Sequence, residues 1–595
     1  MILQTLQFLS QKRTPEYLAL VFILILATVL SCYRIAEPAW DDTHGHRILD
    51  GHQGASLCEF SLIARNYLKF GYLRTKLGQV TNYGRSESQD FQYRIDNPPL
   101  LPLLISLSFR FFGVQEWSAR LIPLLSSTGL LFVVYWLGRK LGGKRVALAA
   151  SLLFALLPIQ VYYGKMPVPH ILSSFFSWLT FVFYLCWIER GGQTRHYIGM
   201  YLSFLLAALS GWLGYFVVPP ILLHYVACEY KKTRNLRFVF SFAIMPVMLF
   251  AVHLGWSYLL EGREGLNKLC DLFLFRALSG GSSGGRFLFT IWDFYAVGYT
   301  RSGLFFTGTV CVLSILWLIS WLVAPFWNRL SRWDILIPSL IIFGLSHNLV
   351  FRNLVYIHDF TMLFHFAPLF AITAALGAQF IVNKVLANKR MWTISFILAV
   401  GYCFGTQSAS ALQQLHKVAI LPDTYLRGIK INQITDESTK VLGSPGLDRM
   451  GFYEDRPWTV ARDLDTLIGL SQADSHYSLY VLDSEFVEEI DRNLKEYLVR
   501  NHPVETFYGY SFFDLRGAGS NTILQDPQIE YPTEVNFDDK LMFLGYNVEE
   551  VVQKRIGPSW LEKYLKGHAE FLPEHRTFFR ITYFWRCLKE MERDY

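Results

Sequence analysis

Long apolar runs separated by short basic loops fill the first two-thirds of this chain. Most of these runs approach the ~20 residues that a membrane-crossing helix needs. The pattern predicts a polytopic α-helical membrane protein with about 11 transmembrane helices. The predicted spans are 16–35, 117–137, 146–163, 170–188, 197–212, 214–228, 237–260, 303–325, 335–350, 361–383 and 392–410.

The loops between the spans predict the orientation. Lys and Arg concentrate in loops that all fall on one side if the N-terminus is cytoplasmic, as the positive-inside rule requires. These basic positions are Arg139, Lys140, Lys144, Arg145, Arg190, Arg195, Lys231, Lys232, Arg234, Arg237, Arg329, Arg332, Lys384, Lys389 and Arg390. The agreement requires that Pro98–Gly113, which opens with a proline pair and carries Arg110, does not cross the bilayer. We predict that it forms a helix at the outer leaflet, with 36–116 as a large first external loop.

Composition agrees with a membrane protein. Hydrophobic residues make up 52% of the 595 and charged residues 17%, whereas a soluble protein has about a quarter charged residues. The eight cysteines contain no CxxC pair, so neither a metal scaffold nor a disulfide framework is predicted. No dinucleotide-binding, P-loop or HExxH zinc-hydrolase motif is present, and nothing indicates a nucleic-acid partner. The lack of an Asn-x-Ser/Thr sequon favours a bacterial plasma membrane.

From Lys440 onward the pattern becomes that of a soluble α/β domain. Apolar strand-like segments alternate with amphipathic helical ones, which is typical of a sheet covered by helices. We predict three parts: a membrane module over 1–410, an extracytoplasmic α/β domain over 411–520 and a β-rich tail over 521–595. The tail resembles an incomplete β-sandwich.

The polar stretch Ala39–Leu101 carries the candidate chemistry. Its carboxylates and cations crowd together at the predicted membrane surface; they are Asp41, Asp42, Asp50, Glu59, Asp96, Arg65, Lys76 and Arg94. Such a mixture fits a site that activates a nucleophile beside an anionic lipid headgroup. A second candidate is Glu261–Arg301, which is either a linker or a mobile loop that presents Arg276 or Arg286 to a phosphate.

Several ordered motifs resemble the C-type membrane glycosyltransferases, in particular the protein O-mannosyltransferases and the bacterial aminoarabinose–lipid A transferases. The similarity is dense over residues 38–190. The motifs are Asp50-Gly-His-Gln-Gly-Ala, Ile63-Ala-Arg-Asn-Tyr-Leu-Lys-Phe-Gly71, Asn97-Pro-Pro-Leu-Leu-Pro, Phe112-Gly-Val-Gln-Glu-Trp-Ser-Ala-Arg, Leu137-Gly-Arg-Lys-Leu and Tyr163-Gly-Lys-Met.

The resemblance implies an inverting transferase that takes a sugar from a polyprenyl monophosphate on the outer face. A first-loop carboxylate is then the general base, and the matching position is Asp50. The alternatives for Asp50 are a helix N-cap and a solvated loop acid. Glu59 is a second candidate carboxylate. His170 stands where relatives place an acid, and it is a base, a phosphate partner or a boundary residue.

The residues predicted to bind substrate are His52, Gln53, Arg65, Arg94, Asn97, Lys165, Arg286, Arg352 and His358. Relatives commonly have His or Lys at the position of Asn97, which cannot supply charge to a phosphate. That role would pass to Arg94, Lys165 or Arg286. For Arg65, a structural ion pair with Glu59 or Asp50 is an equal alternative. No metal ligands are predicted, and the pattern gives no support for a divalent metal or another cofactor.

The sequence therefore predicts a transferase that moves a sugar from a polyprenyl-phosphate donor to an extracytoplasmic glycan, lipid or protein. The alternatives are a transporter or flippase of lipid-linked sugars and an inactive envelope assembly protein on the same scaffold. The inner parts of the spans carry almost no Asp or Glu. This favours the transferase, because transporters place coupling residues near the bilayer midplane.

Overall fold

The computed structural model describes residues 14–38, 52–84, 86–278, 291–323, 332–358, 360–416, 423–444, 452–502, 504–507, 510–516, 529–537, 541–554 and 575–587. Helices dominate up to residue 434. They are α1 (Thr14–Cys32), α2 (His52–Phe70), α3 (Leu100–Phe112), α4 (Glu116–Leu156), α5 (Pro158–Tyr163), α6 (Pro169–Glu189), α7 (Thr194–Ser210), α8 (Val218–Cys228), α9 (Tyr230–Thr233), α10 (Leu236–Leu278), α11 (Ile291–Phe305), α12 (Gly308–Val323), α13 (Arg332–Val350), α14 (Arg352–Ile357), α15 (Thr361–Phe364), α16 (Ala367–Phe380), α17 (Arg390–His416) and α18 (Asp423–Ile434).

Two of the longest helices turn back on themselves at a glycine. α4 breaks at Gly143, where φ is 80°, and α10 breaks at Gly262, where φ is 62°. These left-handed conformations suit glycine because it has no side chain to clash. The first break separates the two predicted spans 117–137 and 146–163. The second break changes the direction of α10 after the predicted span 237–260.

Each predicted span overlies a helix of the structure, which confirms the helical membrane fold. Within the described residues, six helices are long and apolar enough to cross a membrane. A seventh is obtained if Tyr295–Phe305 and Gly308–Val323, bent by 114°, form one span. Shorter apolar helices include Trp212–Cys228, Ile335–Val350 and Leu100–Phe112. The last of these is the helix predicted for Pro98–Gly113, whereas the count of 11 spans stays a prediction.

The region that the sequence predicts to be the first external loop is called the first external region below. It is built from α2, α3 and a short antiparallel ribbon of β1 (Gln79–Val80) and β2 (Tyr93–Arg94). α2 and α3 share one buried apolar cluster that also contains Phe452, from beyond the membrane helices. Its other members include Leu57, Phe60, Ile63, Ala64, Tyr67, Leu101, Ile105, Phe109 and Leu172. The region is thus packed on both the helical bundle and the later α/β domain.

The α/β domain holds a five-stranded mixed sheet with strand order β4-β3-β5-β7-β6. β3 is parallel to β4 and β5, whereas β7 is antiparallel to β5 and β6. The elements are β3 (Lys440–Gly443), β4 (Trp458–Val460), α19 (Leu464–Ala473), β5 (Tyr477–Asp483), α20 (Arg492–Asn501), β6 (Val504–Phe507) and β7 (Tyr510–Asp514). The predicted strands and helices at β3, α19, β5 and α20 are confirmed, whereas β4 is an additional strand and the predicted closing strand is divided into β6 and β7.

The chain divides into two compact units, 1–496 with 504–516 and 497–503 with 517–595. The second unit contains an antiparallel three-stranded sheet of order β10-β9-β8. Its strands are β8 (Tyr531–Phe537), β9 (Leu541–Lys554) and β10 (His575–Cys587). The sequence predicts a helix-like insert over 559–572, between the last two strands, and these positions lie outside the described residues.

Candidate active site

A buried carboxylate between two arginines marks the centre of the candidate site. Asp96 follows β2, and its side chain is 8% exposed. Arg94 donates from Nε to Asp96 Oδ1 at 2.5 Å and from Nη2 to Oδ2 at 3.0 Å. Arg276 donates to the same Oδ2 at 2.6 Å and Asn97 at 3.0 Å. Four donors therefore converge on Asp96, and Arg94 makes a further ion pair with Glu59 of α2.

The charges around Asp96 are nearly balanced. Burial by itself would raise the pKa of the Asp96 carboxyl, but Arg94 and Arg276 hold that pKa well below its usual range. The carboxylate therefore stays ionised and is fully engaged, which makes it unsuitable as a general base. Arg94 is committed to two acids, Asp96 and Glu59. Arg276 touches Asp96 through one nitrogen.

The backbone of the Asp96 segment is held from several sides. Trp212 donates from its indole nitrogen to the Asp96 carbonyl oxygen at 2.5 Å, and His253 of α10 lies 3.2 Å from the Ile95 carbonyl oxygen. The Gln79 side chain donates to the Asn97 carbonyl oxygen. These contacts hold the backbone of the segment at the junction of the ribbon with the membrane helices.

Arg276 reaches Asp96 from the last turn of α10, beyond the break at Gly262. Asn353 donates to the Phe275 carbonyl oxygen at 2.7 Å, and Arg352 donates to the Ala277 carbonyl oxygen at 3.2 Å. Both donors come from α14. They satisfy carbonyls that the end of a helix leaves without partners. The predicted substrate-binding residue Arg352 therefore braces the helix end that carries Arg276.

A second cationic region surrounds Lys165, between α5 and α6. The side chain is fully buried, and its ammonium makes one long hydrogen bond within the described residues, 3.3 Å to the Val161 carbonyl oxygen. Burial, with Arg120 and Arg34 nearby, lowers the pKa of Lys165 to about 7. Gln53 of α2 donates to the Tyr162 carbonyl oxygen at 2.7 Å, which ties the first external region to this side. In contrast to Arg94, Lys165 forms no ion pair with a described carboxylate.

Three histidines gather beside these groups. The ring of His347 lies 6.2 Å from that of His170 and 5.3 Å from that of His365, measured between centroids. Each ring has one buried nitrogen without a hydrogen-bond partner among the described residues: His170 Nδ1, His347 Nε2 and His365 Nδ1. His170 itself is partly exposed. No group of three or more His, Cys, Asp or Glu in the described ranges could hold a metal ion.

Arg65 lies in a different environment from the predicted one. Its guanidinium pairs with Asp455 of the α/β domain at 3.0 Å and donates to the Phe452 carbonyl oxygen at 2.7 Å. Among the described residues Arg65 pairs with Asp455 and not with Glu59, and this contact joins the first external region to the α/β domain. The alternative pairing with Asp50 stays a prediction, because Asp50 lies outside the described residues. His358 ends α14 and lies 5.9 Å from the ring of Phe360.

Asp50 and Arg286 lie outside the described residues, and for His52 the structure describes the backbone of α2 only. Glu59, Arg94 and Asn97 do come together, around Asp96. The roles assigned to all of these residues stay predictions.

The sequence alone does not predict the groups that converge on the site from distant segments. In the sequence, Asp96 is one acid among several in the stretch Ala39–Leu101. Arg276 is one of the two alternative phosphate ligands in Glu261–Arg301. His347, His365, His253 and Asp455 lie far from the first external loop in sequence, and no local motif marks them. The available signal was the position of Asp96, one residue before the Asn97-Pro-Pro motif.

Comparisons with known proteins bear on the family. Residues 96–256 match the family model of the dolichyl-phosphate-mannose-protein mannosyltransferases. Two uncharacterised proteins of Aquifex aeolicus (strain VF5) are 31% and 22% identical to this chain over 183 and 184 residues, in each case 31% of this chain. The matched segments span 40% and 36% of the length of those relatives.

Two solved structures share the fold over most of the chain. The ArnT protein of Cupriavidus metallidurans, bound to undecaprenyl phosphate, is similar with a TM-score of 0.55 and 13% identity, over 83% of this chain and 97% of its own. The archaeal oligosaccharyltransferase AglB of Archaeoglobus fulgidus, in complex with an inhibitory peptide and a dolichol-phosphate, gives a TM-score of 0.52 and 13% identity, over 93% and 81%. Identities this low bear on the fold alone. The chain thus has the fold of the C-type membrane glycosyltransferases, and its residues 96–256 carry the sequence pattern of the protein mannosyltransferases, as its motifs predicted.

Proposed function

We propose that this protein transfers a sugar from a polyprenyl monophosphate to a hydroxyl-bearing acceptor on the extracytoplasmic side of the membrane. The observation that carries the proposal is the buried Arg94–Asp96–Arg276 cluster, located where the mannosyltransferase-like segment begins. Cations held at the boundary between apolar helices and a polar loop suit a lipid-linked phosphate. Undecaprenyl phosphate and dolichol-phosphate in the two structures of the same fold support this donor class.

The reaction requires a base and a partner for the leaving phosphate. The acceptor oxygen attacks the anomeric carbon, the bond from that carbon to the phosphate oxygen breaks, and its electron pair stays on the phosphate. The acceptor proton passes to a protein group. We retain Asp50 as that group, on the resemblance of its motif. Glu59 is a weaker base because Arg94 neutralises it, whereas His170 Nδ1 has no partner among the described residues.

For the leaving phosphate we assign Arg276 and Lys165 ahead of Arg94. Arg94 already forms a bidentate pair with Asp96 and a second pair with Glu59, so a phosphate would have to compete with two carboxylates. Arg276 makes one contact with Asp96 and keeps further guanidinium donors. Lys165 has no described carboxylate partner, and a buried ammonium gains most from an anion.

The test is sugar transfer by the purified protein in lipid nanodiscs, with undecaprenyl-phosphate-linked sugars as donors. Envelope extracts from cells with and without the gene identify the acceptor by mass spectrometry. We expect release of undecaprenyl phosphate and a product heavier by one sugar. Movement of intact donor between leaflets without cleavage would favour the transporter instead. If the protein neither cleaves the donor nor moves it between leaflets, the proposal is overturned.

A further inference from the structure

One carboxylate joins the α/β domain to the first external region. Asp455 Oδ1 lies 3.0 Å from Arg65 Nη2 and accepts from the Gly84 backbone nitrogen at 2.9 Å, and Oδ2 accepts from Lys69 at 2.9 Å. Asp455 holds a positive φ of 45°, a conformation that Asp tolerates better than most residues. Its side chain is 24% exposed, which leaves it shielded but not sealed from water. We call these contacts the Asp455 joint.

The joint connects the two elements that carry the Glu59–Arg94 pair. Arg65 and Lys69 belong to α2, which bears Glu59 about 9 Å further along the helix at 1.5 Å per residue. Gly84 belongs to the loop between β1 and β2, and Arg94 ends β2. Asp455 therefore fixes α2 and the ribbon to a common point outside both. α2 and the ribbon also contact each other directly: Asn66 donates to the carbonyl oxygens of Val80 and Asn82 at 2.9 and 2.8 Å. At the candidate site, Glu59 pairs with Arg94.

Apolar packing strengthens the same joint. Phe452 is 6% exposed and belongs to the buried cluster of α2 and α3. The Arg65 guanidinium carbon lies 5.0 Å from the centre of the Phe452 ring, within cation–π range. The Phe452 carbonyl oxygen also accepts from Arg65. The α/β domain is thus inserted into the core of the first external region.

We propose that the α/β domain, through Asp455, is a positioning element for sugar transfer: it fixes α2 against the ribbon and so sets the geometry of Glu59 and Arg94. This inference rests on the proposed function. The described contacts of Asp455 are with Arg65, Lys69 and Gly84 and do not include Asp96. The joint acts on turnover through the placement of the groups around the reacting atoms, while Arg276 and Lys165, which it does not contact, retain the lipid phosphate.

The test compares Asp455→Asn with Asp474→Asn in the full chain, in nanodiscs. Asparagine keeps the shape of the side chain and tolerates the positive φ, but loses the charge that Arg65 and Lys69 share. Asp474 is the matched control: it is 27% exposed in the same domain and pairs with Lys440 at 2.7 Å and His476 at 2.6 Å. No contact is described between Asp474 and Arg65, Lys69 or Gly84. Lys69→Gln is a milder variant should Asp455→Asn fold poorly.

Three quantities are measured: transfer, undecaprenyl phosphate affinity, and deuterium exchange over α2 and the ribbon. For Asp455→Asn we expect faster exchange in both elements, transfer reduced about tenfold or more by misplacement of the site, and unchanged affinity. Lys69→Gln should likewise speed exchange and lower transfer, whereas Asp474→Asn should change neither exchange, transfer nor affinity. A simple loss of folded protein would lower binding and transfer together.

Unchanged exchange or unchanged transfer in Asp455→Asn would overturn the inference. So would an equal loss of transfer in Asp474→Asn, or a loss of affinity that parallels the loss of transfer. If the wild-type protein cleaves no donor, the proposed function fails. Deuterium exchange then still decides whether the joint holds α2 against the ribbon.

Discussion

Replacing Arg276 by Gln isolates the cation that we assign to the donor phosphate. The guanidinium is 16% exposed and contacts Asp96 at 2.6 Å. In Arg276→Gln, Asp96 keeps both hydrogen bonds from Arg94 and the one from Asn97, so the carboxylate does not lose its charge partner. Asn353 and Arg352 bind backbone carbonyls of the α10 end and are untouched by the change. We therefore expect a folded protein with a local defect.

The expected magnitude follows from the chemistry of a single contact. A hydrogen bond to a charged group contributes about 1.5–3 kcal/mol. Since about 1.4 kcal/mol corresponds to a tenfold change, the dissociation constant for undecaprenyl phosphate should rise about 10- to 150-fold. The smaller change in the dissociation constant is expected if water partly replaces the guanidinium, because the Arg276 side chain is partly exposed to solvent.

Affinity is measured by titrating undecaprenyl phosphate into nanodisc-embedded protein and following the bound fraction by native mass spectrometry. Lys268→Gln is the control, because Lys268 lies on the same arm of α10 and pairs with Glu261 at 3.1 Å and Glu264 at 3.0 Å, away from Asp96. It removes one positive charge without touching the site. Equal affinities in Arg276→Gln and wild type, or equal losses in both variants, would refute the assignment.

Three further predictions test the base, the second cation and the orientation. Because the pKa of Lys165 is about 7, donor binding above that pH must be accompanied by proton uptake, so donor affinity should fall by up to ~tenfold per pH unit. Lys165→Met should bind the donor weakly and without this pH dependence. A pH dependence that persists in the variant would exclude Lys165 as the phosphate ligand. Asp50→Asn should lower turnover by roughly 10²–10⁴-fold while donor binding persists; full activity in this variant, with Glu59→Gln inactive, would transfer the role of base to Glu59. Single cysteines introduced into a cysteine-free protein should be labelled in intact cells at 440–520 but not at 139–145, and the reverse pattern would invert the topology.

The sequence by itself determined the architecture. Apolar runs near the length of a membrane span must form helices, since only a helix satisfies its own backbone hydrogen bonds in lipid. The proline pair and Arg110 limit Leu100–Phe112 to a short helix, and the pattern after Lys440 predicts β3, α19, β5 and α20 in the order observed but not β4. The motifs around Asn97 predict the resemblance to the C-type membrane glycosyltransferases. All of these signals depend on residues that are close together in the sequence, so they can be recognised in a single sequence.

The tertiary structure decided which of the polar residues meet. Arg276 is 180 residues from Asp96, and Arg65 is 390 residues from Asp455; both pairs form because distant helices pack side by side. Local pattern reports which face of a helix is apolar, but it does not specify the partner of a polar side chain on that face. The Asp96 cluster and the three histidines arise from the order in which the helices pack around the first external region, and that order is fixed by the complementary burial of their apolar faces.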